Sequence, residues 1–577
     1  MRILFISHSF NSLTQRLFVE LRARGHEVSI ELDIADSVSE EAVAMYRPDL
    51  IIAPFLKRAV PASIWQNHVC LIVHPGIVGD RGPSALDWAI LNREPVWGVT
   101  VLQANAEMDA GDIWTTATFP MRAAMKSSLY RNEVTNAAVA AVLEAIGKFE
   151  RDEWPMPLAA AGKIHGQLHG QLRPLLRQEQ RRIDWQNDDT ATVLAKIHGG
   201  DGFPGVLDSL FGTPCYLYDA HPATTTALAA TQGRAGDVVA RRDEAVLRRT
   251  RDGGVWIGHA RRAPAADDFD KMLKLPVAVT FPAETAVLPE LPVPLQRPEE
   301  EWGELRYREE GAVGYLSFDF YNGAMSTVQC RRLRDAVLQA RERPTRVLVM
   351  LGGDDFFSNG IHLNCIEAAA HRPDESAADE SWYNINAMDD LALEILTATD
   401  QLTIAAMRGN AGAGGAFLAL AADMVWAHEG VLLNPHYKNM GNLYGSEYWT
   451  YLLPRRVGAE QARAITQNRL PISATQAARQ GLIDTAFGRD ADSFMREVKH
   501  RAQALANAAD YPERLAAKRE RRAADEAAKP LAAYREEELA RMRRNFYGFD
   551  PSYHVARYHF VHKLPHAWTP RHLALHR

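Results

Sequence analysis

No pair of cysteines in this chain is spaced to hold a metal or a disulfide framework. The four present, Cys70, Cys215, Cys330 and Cys365, are scattered over 577 residues and none stands in a CxxC pair. That argues against structural zinc and for free thiols in a reducing compartment. A long basic block is also missing, and the net charge is −7, so nucleic acid is not an expected partner. No stretch approaches the roughly 20 apolar residues that a membrane span needs. The opening Met1-Arg2-Ile3-Leu4-Phe5-Ile6-Ser7 reads as a strand and not as a signal peptide, because its apolar run is short and a polar loop follows. The cytoplasm is the expected location. The glycine-rich run Gly409-Asn410-Ala411-Gly412-Ala413-Gly414-Gly415 lacks the Lys-Ser/Thr of a phosphate loop and does not spell G-x-G-x-x-G, which excludes the common nucleotide-binding readings. What remains is 47% hydrophobic and 24% charged, the composition of a soluble globular protein with about two to four domains.

The pattern along the chain predicts a multidomain α/β protein. Residues 1–160 alternate short apolar strands (Ile3–Ile6, Val28–Leu32, Leu50–Ala53, Val69–Val73) with helices, one of them Leu13–Arg24 stopped at Gly25. This predicts a Rossmann-like parallel sheet covered on both faces. His8 and His74 fall just after strands, where open sheets bind ligands. Residues 161–262 contain a helix from Thr190 and then Gly/Pro-punctuated runs (Cys215–Tyr218, Gly236–Ala240, Ala245–Arg248, Val255–Gly258), expected to form a small β-rich, OB-like domain. Residues 263–300 carry Pro282, Pro289, Pro292, Pro294 and Pro298 and read as a stiff linker. Strand signals return in 301–490, and 491–577 is charged and Ala-rich, a helical extension. Arginine clusters at Arg173–Arg182 and Arg541–Arg544 read as solvated faces.

One phrase in the first region is His74-Pro75-Gly76-Ile77-Val78-Gly79-Asp80-Arg81-Gly82-Pro83-Ser84-Ala85, followed later by Met108-Asp109-Ala110-Gly111-Asp112. A histidine and an aspartate on adjacent loops can fix one imidazole tautomer and stabilise its cation. The phrase resembles the formyltetrahydrofolate-dependent formyltransferases, particularly the methionyl-tRNA type, over about residues 1–262. The resemblance implies catalytic roles for His74 and Asp109 and contacts to the folate side at Arg81, Gly82 and Asp112. The family's third residue, an Asn two positions before the His, is here Ile72. Losing such an oxyanion donor typically costs about 2.7–4 kcal/mol of transition-state stabilisation. Ile72 therefore lines the site without donating, and the acceptor is expected to be a better nucleophile than an amine, such as a thiolate.

A second phrase lies far downstream: Phe357-Ser358-Asn359-Gly360-Ile361-His362-Leu363, with the Gly409–Gly415 turn opening a helix. Helix N-termini present unused N–H groups. Together with Leu453-Pro454-Arg455-Arg456-Val457-Gly458 and Ile472–Asp484, it resembles the enoyl-CoA hydratase/isomerase (crotonase) family. The resemblance implies backbone oxyanion donors at Asn359 and Gly414 and coenzyme A contacts at Gly360, Ile361, Gly415 and Arg455. Both glutamates of a hydratase are absent: Phe417 and Tyr437 stand in their places. Glu447, ten residues on, is expected to pair with Tyr437 for proton transfer.

A formyl-donor site and an acyl-CoA site on one chain point to formyl-CoA as the shared species. The double architecture, with Ser317–Met325 and Asn434–Gly441, resembles a family of hydrogenase maturation proteins. It implies formyl transfer from 10-formyltetrahydrofolate to coenzyme A and decarbonylation to carbon monoxide, the ligand of the [NiFe]-hydrogenase iron. No metal is implied. Partners beyond the small molecules would be other maturation proteins or the precursor of the hydrogenase large subunit. The competing expectations are a formyltransferase joined to a formyl-CoA hydrolase, and a non-catalytic folate- and CoA-binding scaffold.

Overall fold

The computed structural model describes residues 1–160, 170–264 and 273–577. The boundary expected at 160/161 and the 265–272 part of the expected linker lie outside the described residues. The chain divides into two compact units. The first is Met1–Ala263 with Pro276–Pro289 and Pro565–Arg577, and the second is built mainly from Glu290–Leu564.

The first unit opens with strands β1 (Arg2–Ser7), β2 (Glu27–Leu32), β3 (Leu50–Ala53), β4 (Cys70–His74), β5 (Val96–Gln103) and β6 (Ile113–Pro120) in the sheet order β2-β1-β3-β4-β5-β6. β2, β1, β3 and β4 are parallel, and Ile3–Phe5 are fully buried. These strands read as continuous apolar runs because both of their faces are covered. The sheet is not wholly parallel, as the alternation predicted. β5 runs antiparallel to β4, and β6 antiparallel to β5. The Ala104–Asp112 connection is too short for the crossover that a parallel pair requires.

The β-rich part follows the helix Thr190–Gly200, whose first turn is capped by the Asp189 side chain. Its strands are β7 (Val206–Leu210), β8 (Thr213–Pro222), β9 (Val238–Arg242), β10 (Ala245–Arg249) and β11 (Gly254–Arg262), antiparallel in the order β7-β8-β11-β10-β9. β7 had no clear sequence signal, because only Val206 and Leu210 at its ends are buried. The expected linker is partly folded: Val277–Thr280 and Pro282–Ala286 are short helices, and Val277 and Phe281 are fully buried in the β-rich core. Pro282 sits at a helix start, where its missing N–H costs nothing. Arg173 and Arg181, expected on a solvated face, are buried and paired with Asp80 and Asp87.

The end of the chain departs from the expected helical extension. Residues 565–577 pack on β2, the edge strand of the first sheet. Ile30 N–H donates to the Leu573 carbonyl (3.0 Å), and Leu32 N–H to Thr569 Oγ1 (2.8 Å). The fully buried Glu31 on that strand faces His576 Nε2 (2.8 Å) and Arg577 Nε (2.9 Å). Burial would raise its carboxyl, but bonds from His576, Thr569 and Arg577 outweigh burial and hold it below the usual range. The tail thus covers an edge that would otherwise be open to pairing.

The second unit has a six-stranded sheet of Leu305–Glu310, Val313–Phe318, Val347–Leu351, Leu402–Met407, Met424–His428 and Thr485–Phe487; the first pair is antiparallel and the rest parallel. A smaller sheet joins Phe356–Ser358, Asn410–Gly412, Leu432–Asn434 and Ile472–Ser473. Helices Ala491–Ala506, Tyr511–Ala528, Leu531–Tyr547 and Ser552–Val561 follow. The site residues sit on the loops that leave the small sheet. No described helix is long and apolar enough to cross a membrane.

Candidate active sites

In the first unit, β4 ends at His74, with Ile72 two residues earlier on the same face. The His74–Gly76 turn is tied down from β5: Trp97 Nε1 donates to the Pro75 carbonyl and Thr100 Oγ1 to the Gly76 carbonyl, both at 2.9 Å. His74 is buried between two carboxylates. Nδ1 lies 3.5 Å from Asp109 Oδ2, and Nε2 lies 3.5 Å from Asp80 Oδ1. Neither His74 Nε2 nor Asp80 Oδ1 has a hydrogen-bond partner. Catalytic contacts are often this long without substrate. Asp109 holds a left-handed backbone (φ +52) and accepts Gly82 N–H at 3.1 Å. Asp80 is held by Arg173 Nε at 3.0 Å. Any side chain at Gly76 would run into the His74 ring.

The structure therefore gathers His74, Asp109 and Gly82, with Ile72 beside them. It adds Asp80 and Arg173, to which the sequence reading gave no role. Asp80 belongs to the quoted phrase, but only the fold shows that it points inward. Arg81 pairs instead with Glu107, and Asp112 is exposed, contributing its carbonyl to the Gln103 N–H.

In the second unit, Gly414 begins the helix Gly414–Leu420, so its N–H is one of the donors the helix leaves unused. Gly360, at φ +81, packs so close that a Cβ there would lie 3.3 Å from Gly414 N, and a side chain at Gly415 would collide with the Ser358 backbone. Ile361 forms a parallel bridge with Met325.

The Asn359 donor needs correction. Its N–H already donates to the Gly323 carbonyl at 2.7 Å, and its Nδ2 donates to the Asn322 carbonyl at 2.8 Å. The left-handed pair Asn322 and Gly323 turns these carbonyls toward it. Arg455 lies 2.6 Å from Asp525 and over the Tyr451 ring.

Tyr437 and Glu447 meet. The Tyr437 hydroxyl donates to Glu447 Oε2 and lies 3.2 Å from the Ser446 carbonyl. Its ring stacks on Phe417 at 5.4 Å. A methyl at Gly414 would collide with the Glu447 carboxylate, so that group lies against the start of the helix. Burial, with the negative charge of Asp389, pushes Glu447 up to about 8. Burial and Glu447 push Tyr437 well above its ordinary value. Asp389 is fully buried and itself raised to about 6 by desolvation. The single Ser446 hydroxyl proton is shared between the two Asp389 oxygens (2.8 and 2.7 Å), and Asp389 accepts Glu447 N–H at 2.8 Å. Asp389 sits on the helix Ala377–Leu396, and nothing in its local sequence marks it.

Among the described residues, Glu367, His371 and His562 bring three metal-ligating atoms near one another. One Glu367 oxygen is already taken by Arg557 Nε at 2.8 Å.

Three family models match the chain: formyl transferase over residues 1–146, formyl transferase C-terminal domain over 175–268, and enoyl-CoA hydratase/isomerase over 312–571. The hydrogenase maturation factor HoxX of Bradyrhizobium diazoefficiens is 56% identical across 100% of this chain and 97% of its own. The crystal structure of HypX from Aquifex aeolicus in complex with tetrahydrofolic acid superposes with a TM-score of 0.94 at 49% identity, covering 100% of this chain and 99% of that one. A methionyl-tRNA formyltransferase of Geobacter sulfurreducens is 21% identical over 40% of this chain and 70% of its own.

Proposed function

We propose, from the premise that the chain belongs to the HoxX/HypX family of hydrogenase maturation factors, that it makes carbon monoxide from a folate-borne formyl group in two steps. In the first, the formyl group of 10-formyltetrahydrofolate passes to the thiol of coenzyme A. His74 takes the thiol proton, the thiolate attacks the formyl carbon, and the proton returns to the folate nitrogen as it leaves. Asp109 and Asp80, 3.5 Å from opposite ring nitrogens, stabilise the imidazolium that forms between these transfers. A thiolate attacks readily enough to manage with Ile72 in place of the family's amide donor.

In the second step formyl-CoA splits into carbon monoxide and coenzyme A. Formyl-CoA has no α-carbon, so the enolate chemistry of a hydratase is closed to it. The Glu447 carboxylate takes the formyl hydrogen as a proton, the C–H electron pair stays on carbon to complete carbon monoxide, and the C–S bond breaks. The thiolate then receives a proton through Tyr437. Gly414 N–H polarises the formyl oxygen. The observation that carries the reading is the buried Tyr437–Glu447 pair against Gly414, beside a Phe417 that offers no acid or base. A base raised to about 8 is stronger than an ordinary carboxylate, and its working form grows as pH rises. The carbon monoxide would serve the iron of [NiFe]-hydrogenase in the cytoplasm, with other maturation proteins or the large-subunit precursor as recipients.

The test is to supply the protein with 10-formyltetrahydrofolate and coenzyme A and to trap released gas with reduced haemoglobin. Carbon monoxide equal to the tetrahydrofolate released is expected. Formate in its place would replace decarbonylation by hydrolysis. Binding of both ligands without turnover would leave a scaffold.

A further inference from the structure

The loop that carries Glu447 has little regular secondary structure to support it. Residues 444–450 cross two consecutive left-handed residues, Glu447 (φ +61) and Tyr448 (φ +58), before the helix Trp449–Gln467 begins. Such backbone persists only where its surroundings hold it. Much of that support comes from one face of the Leu531–Tyr547 helix. Asn545 Oδ1 accepts Tyr444 N–H at 3.1 Å, and Met542 Sδ accepts Gly445 N–H at 3.1 Å. Glu538 Oε2 accepts Tyr448 N–H at 3.0 Å, and Glu538 Oε1 accepts Thr450 N–H at 2.8 Å. Residues 538, 542 and 545 are spaced i, i+4, i+7, so they share one helix face. Of the two N–H groups between Gly445 and Tyr448, that of Glu447 goes to Asp389 at 2.8 Å and that of Ser446 to Glu447 Oε2 at 3.3 Å.

We propose that the Leu531–Tyr547 helix is a template that holds the catalytic loop in register, with Glu538, Met542 and Asn545 as positioning residues for the Glu447 carboxylate. The inference rests on the role given above to Glu447 as the proton-transfer group. Of the Arg541–Arg544 cluster near the end of the helix, Arg543 and Arg544 are exposed, and the Arg541 guanidinium lies over the Tyr444 ring of the loop at 4.8 Å. On the working face Glu538 is fully buried and Met542 almost so. Glu538, itself pushed up to about 8 by burial and the charge of Asp389, also acts through charge as it ionises over the same range as Glu447. Glu447 faces Tyr437 and Asp389, with Glu538, the Arg535 guanidinium beside Asp389, and Cys330 further out. Of these, the Asp389 and Glu538 carboxylates both favour the protonated form of Glu447.

The full-length protein and three variants, Asn545→Ala, Met542→Leu and Glu538→Gln, test the template. Two readouts are needed: amide hydrogen exchange of residues 444–450 without substrate, and consumption of added formyl-CoA, followed as loss of the thioester whatever the product. Asn545→Ala and Met542→Leu are expected to speed exchange in the loop and to lower kcat about tenfold or more with little change in KM, as misplacement of a reacting group does. Formyl transfer from 10-formyltetrahydrofolate is expected to stay at the native rate. Glu538→Gln loses the charge and keeps one acceptor oxygen, its NH2 standing where the other oxygen accepted Tyr448 or Thr450 N–H. It is expected to speed exchange at one of those two amides only, less than Asn545→Ala and Met542→Leu do over the loop, and to move the midpoint of the rising pH–kcat limb to lower pH. Native exchange and native kcat in Asn545→Ala and Met542→Leu would overturn the template, as would a rise in KM alone, which would make the helix a cover for the ligand. An unmoved pH midpoint in Glu538→Gln would remove its electrostatic role. Exchange needs no turnover and thioester loss is blind to the product, so failure of carbon monoxide formation leaves these outcomes readable.

Discussion

The two sites keep opposite halves of what their families use. The first keeps side chains and loses a donor: His74 and Asp109 stand together on their loops, while Ile72 occupies the place of an amide. The second keeps the frame and loses side chains. Gly414 still opens a helix beside Gly360, but Phe417 and Tyr437 replace both glutamates, and the carboxylate comes from Glu447 on a loop held by other helices. On the proposed reading the first site still has a proton carrier for acyl transfer, and the second has a new one beside the start of its glycine-rich helix, for a substrate without an α-carbon.

His74→Ala should break the comparison most sharply. General acid–base groups contribute typically 10²–10⁴-fold. Formyl transfer should fall by about that factor, while added formyl-CoA is consumed at the native rate. Separate assays of tetrahydrofolate release and thioester loss check both halves. Glu447→Gln should do the reverse, with a loss of about 10²-fold or more in thioester consumption and none in transfer. The pH dependence gives the sign. A carboxyl raised to about 8 is mostly protonated at neutral pH, with roughly a tenth ionised at pH 7. A base reading then requires kcat for formyl-CoA to climb through pH 8 and level off about one unit above it. A rate that falls over that range would make Glu447 the acid instead.

A smaller effect sharpens the likeness between the sites. In both, the working group rests directly against a glycine: His74 against Gly76, and the Glu447 carboxylate against Gly414. The first turn is pinned by Trp97 and Thr100, and the second loop by Asp389 and Glu538, so neither neighbour can retreat freely. Gly76→Ala should lower formyl transfer, and Gly414→Ala thioester consumption, by about tenfold or more each, because a displacement near 1 Å can cost up to about 10²-fold. Steady-state assays of each half-reaction check this, with circular dichroism to confirm folding.

Much of this was legible in the sequence. Strands buried on both faces wrote themselves as apolar runs, so β1 to β4 were readable, as were Val313–Phe318, Val347–Leu351, Leu402–Met407 and Met424–His428 in the second unit, whose edge strands and small sheet were not. β7 was not, because its middle is exposed. The inward turn of Asp80 and Arg173 and the burial of Asp389 were not readable either, since each depends on a partner dozens of residues away. The return of the tail to Glu31 depends on contacts more than 500 positions apart. Glu447 was readable as a candidate because the crotonase resemblance implied that its Gly-rich loop lies near the acyl group, whereas the commitment of Asn359 N–H to Gly323 was not readable, because a phrase specifies residues and not where their amides point.

Ile72→Asn asks whether the lost donor still matters. Asn at this position would lie on the His74 face of β4, two residues before the histidine, where an amide can reach a developing oxyanion. In a site built around such a donor, its removal costs about 10²–10³-fold. Adding it to one that has adapted without it should give less. We expect amine acceptors to gain several-fold over the native protein and the coenzyme A thiol to gain little, because a thiolate attack is less dependent on that stabilisation. The substitution also has a structural cost. Ile72 packs with the Leu102–Ile113 cluster, and a polar group with an unmet hydrogen bond there should lower stability by about 1–3 kcal/mol, measurable by chemical denaturation. Competition between hydroxylamine and coenzyme A for the formyl group reads the ratio directly. An unchanged ratio in a folded variant would mean that some other group already supplies the donor, and the contrast between a site that lost a donor and one that lost its acids would have to be redrawn.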